Sequence, residues 1–330
     1  MKNKQLRIAG LVAAALFVAF GRYPLSMLVS SRRKYPPPIK IPPRSSHSLR
    51  CPSGNTIYVE IDGPIDAHPL VLIHGLNSSR LQWFYQHSLL RDSYRLILID
   101  LPGHGLSPLP ADLSLPTLAA DLQYILLQLQ LKNAILYGHS IGAMVIEQYC
   151  VNYNVPKPKA IILQQASYTD PLRFVQFAPL IKLIQKPILE PFLKFVKRHP
   201  GIFAAIRWFN YLNGLSILFH RYWFFTGNQS AAQLRFISRL AATCPPQVVA
   251  EGILKVAEFD ISKDLLKISV PCLVFAGSAD RIVKPCTGKY VAMHIPNSRL
   301  VILKGGHLAL IENPQDTNTA VTTFLNSLDG

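Results

Sequence analysis

The pentapeptide Gly138-His139-Ser140-Ile141-Gly142 has the residue types and the spacing of a serine nucleophile. It follows the apolar run at residues 134–137 and precedes an apolar stretch at residues 143–149, so we predict a strand, a tight turn and a helix. In such an elbow the serine takes a strained backbone conformation, and small residues are needed two positions away on each side. The turn exposes the Ser140 hydroxyl and directs the backbone N–H of Ile141 to the place where an oxyanion would form.

A serine hydroxyl is a poor nucleophile at neutral pH and needs a base within hydrogen-bond reach. Two candidate partners follow later apolar runs: Asp280 comes after residues 270–276, and His307 comes after residues 300–303. The chain order serine, aspartate, histidine is the one this elbow requires. We therefore predict that His307 takes the proton of Ser140 and that Asp280 orients the imidazole. The alternative for either residue, taken alone, is an ordinary turn or loop residue.

A second hydrogen-bond donor for an oxyanion is predicted at the end of another apolar run. Residues 69–73 read as a buried strand and are followed by His74-Gly75-Leu76. We expect the backbone N–H of Leu76 to act together with the N–H of Ile141. His139 is expected to pack at the elbow, and His104 to be a turn residue between two glycines.

The elements that must position these residues alternate between strand and helix. Apolar runs at residues 69–73, 94–99, 134–137, 160–163, 270–276 and 300–303 are separated by segments with helical periodicity. This alternation predicts an α/β fold with a mostly parallel sheet and helices on both faces. Functional groups in such sheets lie at the carboxyl ends of the strands, where His74, Asp100 and Ser140 are all expected.

The alternation stops between residues 168 and 244. Of the 32 aromatic residues of the chain, 14 lie between Phe174 and Phe236. Prolines divide this stretch into short helical pieces at residues 171–184, 201–212 and 230–240. We interpret residues 168–244 as a helical cap inserted into a body formed by residues 55–167 and 245–330.

The amino-terminal segment, residues 1–30, has two interpretations. A basic start and an uncharged apolar run at residues 8–21 suit a cleavable signal peptide, which would leave an exported protein. If the helix continues to Val29 it instead reaches the length of about 20 residues that a membrane anchor needs, although Arg22 and Pro24 then lie inside it. We favour the anchor, because residues 31–54 form a basic, proline-rich linker that suits a tether.

The formal charge of +16 is unevenly distributed over the 330 residues. Residues 1–50 hold ten Lys and Arg and no acid, and residues 155–250 hold twelve basic groups against Asp170 and Glu190. Large apolar residues lie between these cations, which favours an anionic membrane surface over nucleic acid as the partner. The five scattered cysteines show neither a disulfide framework nor metal spacing, and no cofactor or metal is expected.

Several motifs together resemble the α/β-hydrolase family, in the group of capped serine esterases and monoacylglycerol-type lipases. They are His74-Gly75, residues 100–107, the pentapeptide around Ser140, Gly277-Ser278-Ala279-Asp280 and Gly306-His307. The resemblance extends over about residues 55–328. It implies Ser140 as nucleophile, Asp280 as acid, His307 as base and the N–H groups of Leu76 and Ile141 as oxyanion hole.

A serine at position 140 argues against the dehalogenase and epoxide-hydrolase branches, which need a carboxylate nucleophile. The anchor, the basic linker and the apolar cap favour cleavage of apolar or lipid carboxylic esters at a membrane. The segments 207–209 and 221–225 are the candidates for a surface that enters the membrane. Alternatives are a carbon–carbon hydrolase or lyase, a thioesterase, or a non-catalytic protein that uses the same pocket to bind a ligand. The oligomeric state stays open.

Overall fold

The computed structural model describes residues 2–31, 42–153 and 155–328. Its centre is an eight-stranded sheet with the strand order β1-β2-β4-β3-β5-β6-β7-β8. The strands are β1 (Ser45–Arg50), β2 (Thr56–Asp62), β3 (Pro69–Ile73), β4 (Arg95–Asp100), β5 (Ile135–His139), β6 (Ala160–Gln164), β7 (Cys272–Gly277) and β8 (Ser298–Leu303). The pairs β1–β2 and β2–β4 are antiparallel and all other pairs are parallel. The predicted α/β class with a mostly parallel sheet is confirmed.

Helices precede, flank and cover this sheet in the described residues. They are α1 (Lys2–Phe20), α2 (Arg22–Leu28), α3 (Phe84–Leu90), α4 (Leu115–Gln128), α5 (Ile141–Asn152), α6 (Ala178–Ile184), α7 (Glu190–Arg198), α8 (Pro200–Asn213), α9 (Leu215–Trp223), α10 (Ala231–Thr243), α11 (Pro246–Val256), α12 (Pro285–His294), α13 (Ala309–Glu312) and α14 (Pro314–Asn326). A π-helical turn at Gln185–Leu189 joins α6 to α7.

The hydrophobic core has one layer on each face of the sheet. Alternate residues of β3 show this: Val71 and Ile73 pack with α4 and α5, whereas Leu70 and Leu72 pack in the opposite layer with α3 and α14. Because both faces of the central strands are covered, these strands consist of continuous apolar runs, which is why they could be recognised in the sequence.

The predicted linker was too long at its carboxyl end. Residues 45–50 form β1 and pair with β2 from Ser45↔Ile61 to Arg50↔Thr56. Five of the six β1 residues are exposed, so the strand carries no apolar pattern that would reveal it. The basic and proline-rich residues 32–41 of the predicted linker lie outside the described residues.

The predicted helix through Val29 is broken at Gly21, where α1 and α2 meet at 72°. In the described part of the chain no single helix is long and apolar enough to cross a membrane. Two bent pairs, α1 with α2 and α8 with α9, have the necessary length and apolarity when each pair is taken together. The N-terminal helices pack on the cap: the Arg235 guanidinium donates to Ser26 Oγ at 2.7 Å, and the Gln229 amide donates to the Val29 carbonyl at 3.1 Å.

The cap segment consists of helices α6 to α10, inserted between β6 and β7. One predicted piece, residues 171–184, was wrong in its first half. Pro171–Arg173 form only a 3-10 turn, and Phe177 has a left-handed backbone conformation with φ of 65° before α6 begins. Pro200 marks a break as expected and opens α8. Pro187 lies inside the π-helical turn and Pro191 at the start of α7, so neither interrupts the helical run over residues 178–198.

Candidate active site

The structure brings together Ser140, His307 and Asp280, which are far apart in the chain. Each follows a strand of the parallel part of the sheet, namely β5, β8 and β7, and these strand ends lie along one edge. His307 Nε2 lies 3.1 Å from Ser140 Oγ, and His307 Nδ1 lies 2.8 Å from Asp280 Oδ2. With Nδ1 donating to the carboxylate, Nε2 has a lone pair that can accept the serine proton.

The elbow holds Ser140 in a strained conformation with φ of 53° and ψ of −119°. The strain is possible because the turn is packed too tightly for side chains on both sides. A Cβ on Gly138 would lie 2.4 Å from the Gly142 carbonyl oxygen, and a Cβ on Gly142 would lie 2.3 Å from the Ile73 carbonyl oxygen. The two glycines therefore allow the elbow to lie against the end of β3, with the half-buried Ser140 at its tip.

Asp280 is fixed by its own loop before it meets the histidine. Its Oδ1 accepts the backbone N–H groups of Ile282 at 2.8 Å and Val283 at 2.9 Å, and this leaves Oδ2 for His307. Asp280 and His307 are only 4% and 3% exposed. The two N–H donors therefore fix the orientation of the carboxylate, so that Oδ2 faces the imidazole.

The two predicted oxyanion donors also lie at this edge, because Leu76 follows β3 and Ile141 opens α5 directly after Ser140. Neither backbone N–H has an acceptor among the described residues. Free N–H groups at the start of a helix and after a neighbouring strand can stabilise a developing negative charge.

Two buried histidine side chains fix the loop that carries Leu76. His74 Nε2 accepts the N–H of Leu101 at 3.0 Å, and His104 Nε2 accepts the N–H of Asn77 at 3.2 Å. Burial lowers the pKa of His74 to about 4 and that of His104 to about 3, so both rings are neutral acceptors at pH 7. His104 is thus more than the predicted turn residue, because its side chain binds the loop that carries Leu76.

Arg80, Asp100 and Glu60 form a charged cluster beneath the loop that follows β3. Arg80 donates to Asp100 Oδ2, and to Glu60 Oε1 at 2.6 Å, while its backbone N–H donates to Asp100 Oδ1 at 2.7 Å. The residues are at most 5% exposed. Burial raises the pKa of Asp100, and the Arg80 guanidinium opposes that effect. The cluster holds the loops after β3 and β4 together.

His139 contacts His307, and sequence reasoning missed this contact. Its Nε2 donates to the backbone carbonyl of His307 at 2.9 Å, and the two rings lie 5.0 Å apart. Burial, aided by the nearby His307, lowers the pKa of His139 to about 3, so it is a neutral donor. The only sequence feature that points to this contact is the position of His139 immediately before Ser140, and that position is equally compatible with the expected packing role.

The cap closes the site from above. A cavity of about 40 Å³ remains over Ser140, lined by Leu76 and Leu308 of the body and by His220, Phe224 and Ile237 of the cap segment. Burial lowers the pKa of His220 to about 4. This volume is far below that of a typical ligand pocket, so the cap leaves little space over the Ser140 hydroxyl.

The cap also contacts the loop that carries Leu76. Arg207 of α8 donates to the Asn77 side-chain oxygen and to the Ala241 backbone carbonyl. Asn77 follows Leu76 and has a left-handed φ of 64°.

Among the described residues there is no group of three or more His, Cys, Asp or Glu side chains that could hold a metal ion.

Comparisons with known proteins agree with this architecture. A sequence profile of the alpha/beta hydrolase fold family matches residues 68–314. The chain is 26% identical to 3-oxoadipate enol-lactonase 1 of Acinetobacter baylyi, over 83% of this chain and 95% of the relative. A thermophilic esterase from Thermogutta terrifontis is structurally similar, with a TM-score of 0.69 and 24% identity over 86% of this chain and 99% of the esterase. A bacterial membrane phospholipase A matches over 100% of both chains, with a TM-score of 0.69 and 19% identity.

Proposed function

Because the chain belongs to the alpha/beta hydrolase family, we propose that it is a serine hydrolase that cleaves carboxylic esters of apolar or lipid substrates. The observation that carries the proposal is the hydrogen-bonded series from Ser140 Oγ to His307 Nε2 and from His307 Nδ1 to Asp280 Oδ2, at 3.1 Å and 2.8 Å. Two free backbone N–H groups beside the serine complete the arrangement for acyl transfer.

In this mechanism His307 Nε2 takes the Ser140 proton as Oγ attacks the carbonyl carbon of the ester. The resulting oxyanion accepts the N–H groups of Leu76 and Ile141, and each such donor typically contributes about 3 to 4 kcal/mol of transition-state stabilisation. His307 then protonates the leaving alcohol, and the acyl group stays on Ser140. Water, activated by the same imidazole, hydrolyses the acyl-enzyme, while Asp280 stabilises the imidazolium in both halves of the reaction.

The surface around the cap supports apolar or lipid substrates. Large apolar side chains are exposed on the four successive cap helices α6 to α9, including Leu183 at 72%, Phe195 at 50%, Phe209 at 51% and Phe219 at 52%. A solvent-facing apolar area of this extent is typical of a lipid or protein contact surface. The likeness to the phospholipase shows the fold alone, so the substrate class rests on this surface.

We extend the proposal to membrane association through the N-terminal helices. Helix α1 packs on α8, and the α1 residues Leu6, Leu11 and Phe20 are 71%, 72% and 53% exposed. The apolar faces of α1 and of the cap are therefore neighbours, and the excess of basic residues at 1–50 and 155–250 complements anionic headgroups. A retained anchor is the form of association we propose, with export after cleavage as the alternative.

The deciding experiment is competitive labelling with a fluorophosphonate probe in membrane and soluble fractions. Wild-type protein is expected to label in the membrane fraction and to hydrolyse p-nitrophenyl esters with a preference for longer acyl chains. Ser140→Ala is expected to lose both properties while keeping its thermal midpoint. A folded wild-type protein that neither labels nor turns over any ester in the series would overturn the proposal. Product analysis separates ester cleavage from thioester or carbon–carbon cleavage.

A further inference from the structure

Glu312, the last residue of α13, is a carboxylate with no solvent exposure and no basic partner among the described residues. It lies five positions after His307 but does not touch the reacting groups. A buried carboxylate is costly unless hydrogen bonds replace its hydration. The partners that supply those hydrogen bonds indicate what the residue does.

One carboxylate oxygen of Glu312 binds the segment that leaves helices α6 to α9 and leads to α10 of the cap; we call residues 224–228 the cap exit. Its Oε1 accepts three successive backbone N–H groups, those of Thr226 at 2.8 Å, Gly227 at 3.1 Å and Asn228 at 3.0 Å. It also accepts the Thr226 hydroxyl at 2.6 Å. Successive N–H groups that point at one centre form an anion-binding nest, and here the anion belongs to the protein itself.

The second carboxylate oxygen holds the residue before the catalytic base. Glu312 Oε2 accepts the N–H of Gly306 at 3.0 Å. Gly306 is packed directly against the cap exit, because a Cβ there would lie 2.5 Å from the Phe224 carbonyl oxygen. A single carboxylate therefore joins the cap exit to the loop that carries His307.

The residue after the base is tied to the same segment. The N–H of Leu308 donates to the Phe224 carbonyl at 3.1 Å, and the Phe224 ring packs edge-on against the His307 ring at 5.8 Å. His307 is thus held from both sides by contacts with the cap exit, one of which runs through Glu312.

We propose that Glu312 is a positioning residue that keeps His307 Nε2 in reach of Ser140 by locking the cap exit to the histidine loop. The inference rests on the proposed function, since it assigns a role relative to the Ser140–His307 pair. A displacement of about 1 Å in a catalytic group can lower the rate by about 100-fold, so a residue that touches no substrate can still control kcat.

The decisive variant is Glu312→Gln, which keeps the size of the side chain but replaces one acceptor oxygen with an NH₂ donor. Because both ends of the carboxylate accept N–H groups, the amide must face a donor at one end. We expect kcat for a short p-nitrophenyl ester to fall about 10- to 100-fold while KM changes less than about 2-fold. Active-site titration with a fluorophosphonate, run to completion, corrects kcat for unfolded protein.

The matched control is Gln233→Met. The Gln233 amide donates to the Ile311 carbonyl and to the Tyr85 hydroxyl, so it joins the cap to the same C-terminal segment without contacting the histidine loop. We expect this variant to lower the thermal midpoint and to leave kcat unchanged. If Glu312→Gln lowers the midpoint but keeps the kcat of Gln233→Met, Glu312 is merely structural and the inference is overturned.

A milder variant covers the case in which Glu312→Gln does not fold. Thr226→Val removes the hydroxyl, with its contacts to Glu312 and to the Asn228 amide, and leaves the three N–H donors. We expect kcat to be about 2- to 5-fold lower with unchanged KM. An unchanged kcat in Thr226→Val would then overturn the inference. A wild-type protein without labelling or esterase activity instead refutes the proposed function, so the two failures are distinguishable.

Discussion

The body and the cap bury their apolar residues to very different extents. Strands β5, β6 and β7 are buried at every position, and each of β3 and β4 at all but its first. In the cap, α6 has no buried residue, and α7 buries only Leu193 and Val196. In α8 only Asn213 is buried, and in α9 only Ile217 and His220.

This difference indicates that apolar side chains have different roles in the body and in the cap. In the body they stabilise the sheet whose strand ends hold Ser140, Asp280 and His307. On α6 to α9 most of them face away from the body, where they contribute little to folding and remain available for an external apolar phase. Variants in the body should therefore lower catalysis or stability. Variants on the exposed faces of α6 to α9, here called the outer cap, should change the interaction with lipid without lowering kcat or stability.

The largest effect is expected for Asp280→Asn in the body. The amide can no longer hold the His307 tautomer that leaves Nε2 free to accept a proton, so kcat should fall about 10⁴-fold with little change in KM. Steady-state kinetics with a soluble ester measures the loss, and circular dichroism verifies the fold. A loss of less than 10-fold in folded protein would contradict the proposed role.

The second prediction compares the elbow with the cap by making the same Gly→Ala substitution in each. In Gly142→Ala the new methyl group meets the Ile73 carbonyl oxygen, and kcat should fall about 100-fold with a loss of about 1 to 3 kcal/mol in the free energy of unfolding. The control is Gly201→Ala on α8, where a Cβ has nothing within 4 Å. This variant should keep kcat and gain up to about 1 kcal/mol. Equal effects of the two variants would erase the contrast between body and cap.

The outer cap is tested by Leu183→Ser and Phe195→Ser, which remove side chains that are 72% and 50% exposed. Each should weaken binding to anionic phospholipid vesicles about 10-fold, because burial of such a side chain contributes about 1.5 to 3 kcal/mol. Hydrolysis of a short soluble ester should be unchanged. Met293→Ser, at an 81% exposed position on α12 of the body, is the matched control and should bind vesicles like wild type. Cosedimentation measures the binding, and equal losses in all three variants would argue against a specific lipid-facing surface.

The smallest effect concerns pH. Burial lowers the pKa of His220 from 6.5 to about 4, so between these values the unfolded chain binds more protons than the folded protein. The free energy of unfolding should therefore fall as the pH decreases from 6.5 towards 4, by about 1 kcal/mol per pH unit from this residue. In His220→Asn the pH slope should be shallower by that amount in urea titrations. An unchanged slope would show that His220 does not contribute to acid sensitivity.

Sequence reasoning succeeded where one local pattern was sufficient. The buried strands are continuous apolar runs, and parallel strands place their carboxyl ends along one edge, so Ser140, Asp280 and His307 could be expected to meet before any distance was known. It failed at β1, because Ser45-Ser46-His47-Ser48 has no apolar alternation and becomes a strand only by pairing with β2. It also missed the bend at Gly21, where a helix with continuous apolar character changes direction against the cap.

The roles of several buried polar residues were equally beyond the sequence. His139 and His104 each lie within a recognised motif, but the carbonyl and N–H groups they bind belong to other strand-end loops. Glu312 has no partner within its own helix apart from the backbone, and its two oxygens bind segments that lie 84 to 86 residues and six residues earlier in the chain.

The sequence by itself determined the alternation of strands and helices in the body and the residues expected to meet at one edge of the sheet, because both depend on residue type and on spacing along the chain. Only the tertiary structure decided how tightly the cap covers Ser140, which apolar residues face outward, and which buried side chains hold the loops around Ser140 and His307. Those properties depend on contacts between distant segments, whose hydrogen-bond partners no local pattern encodes.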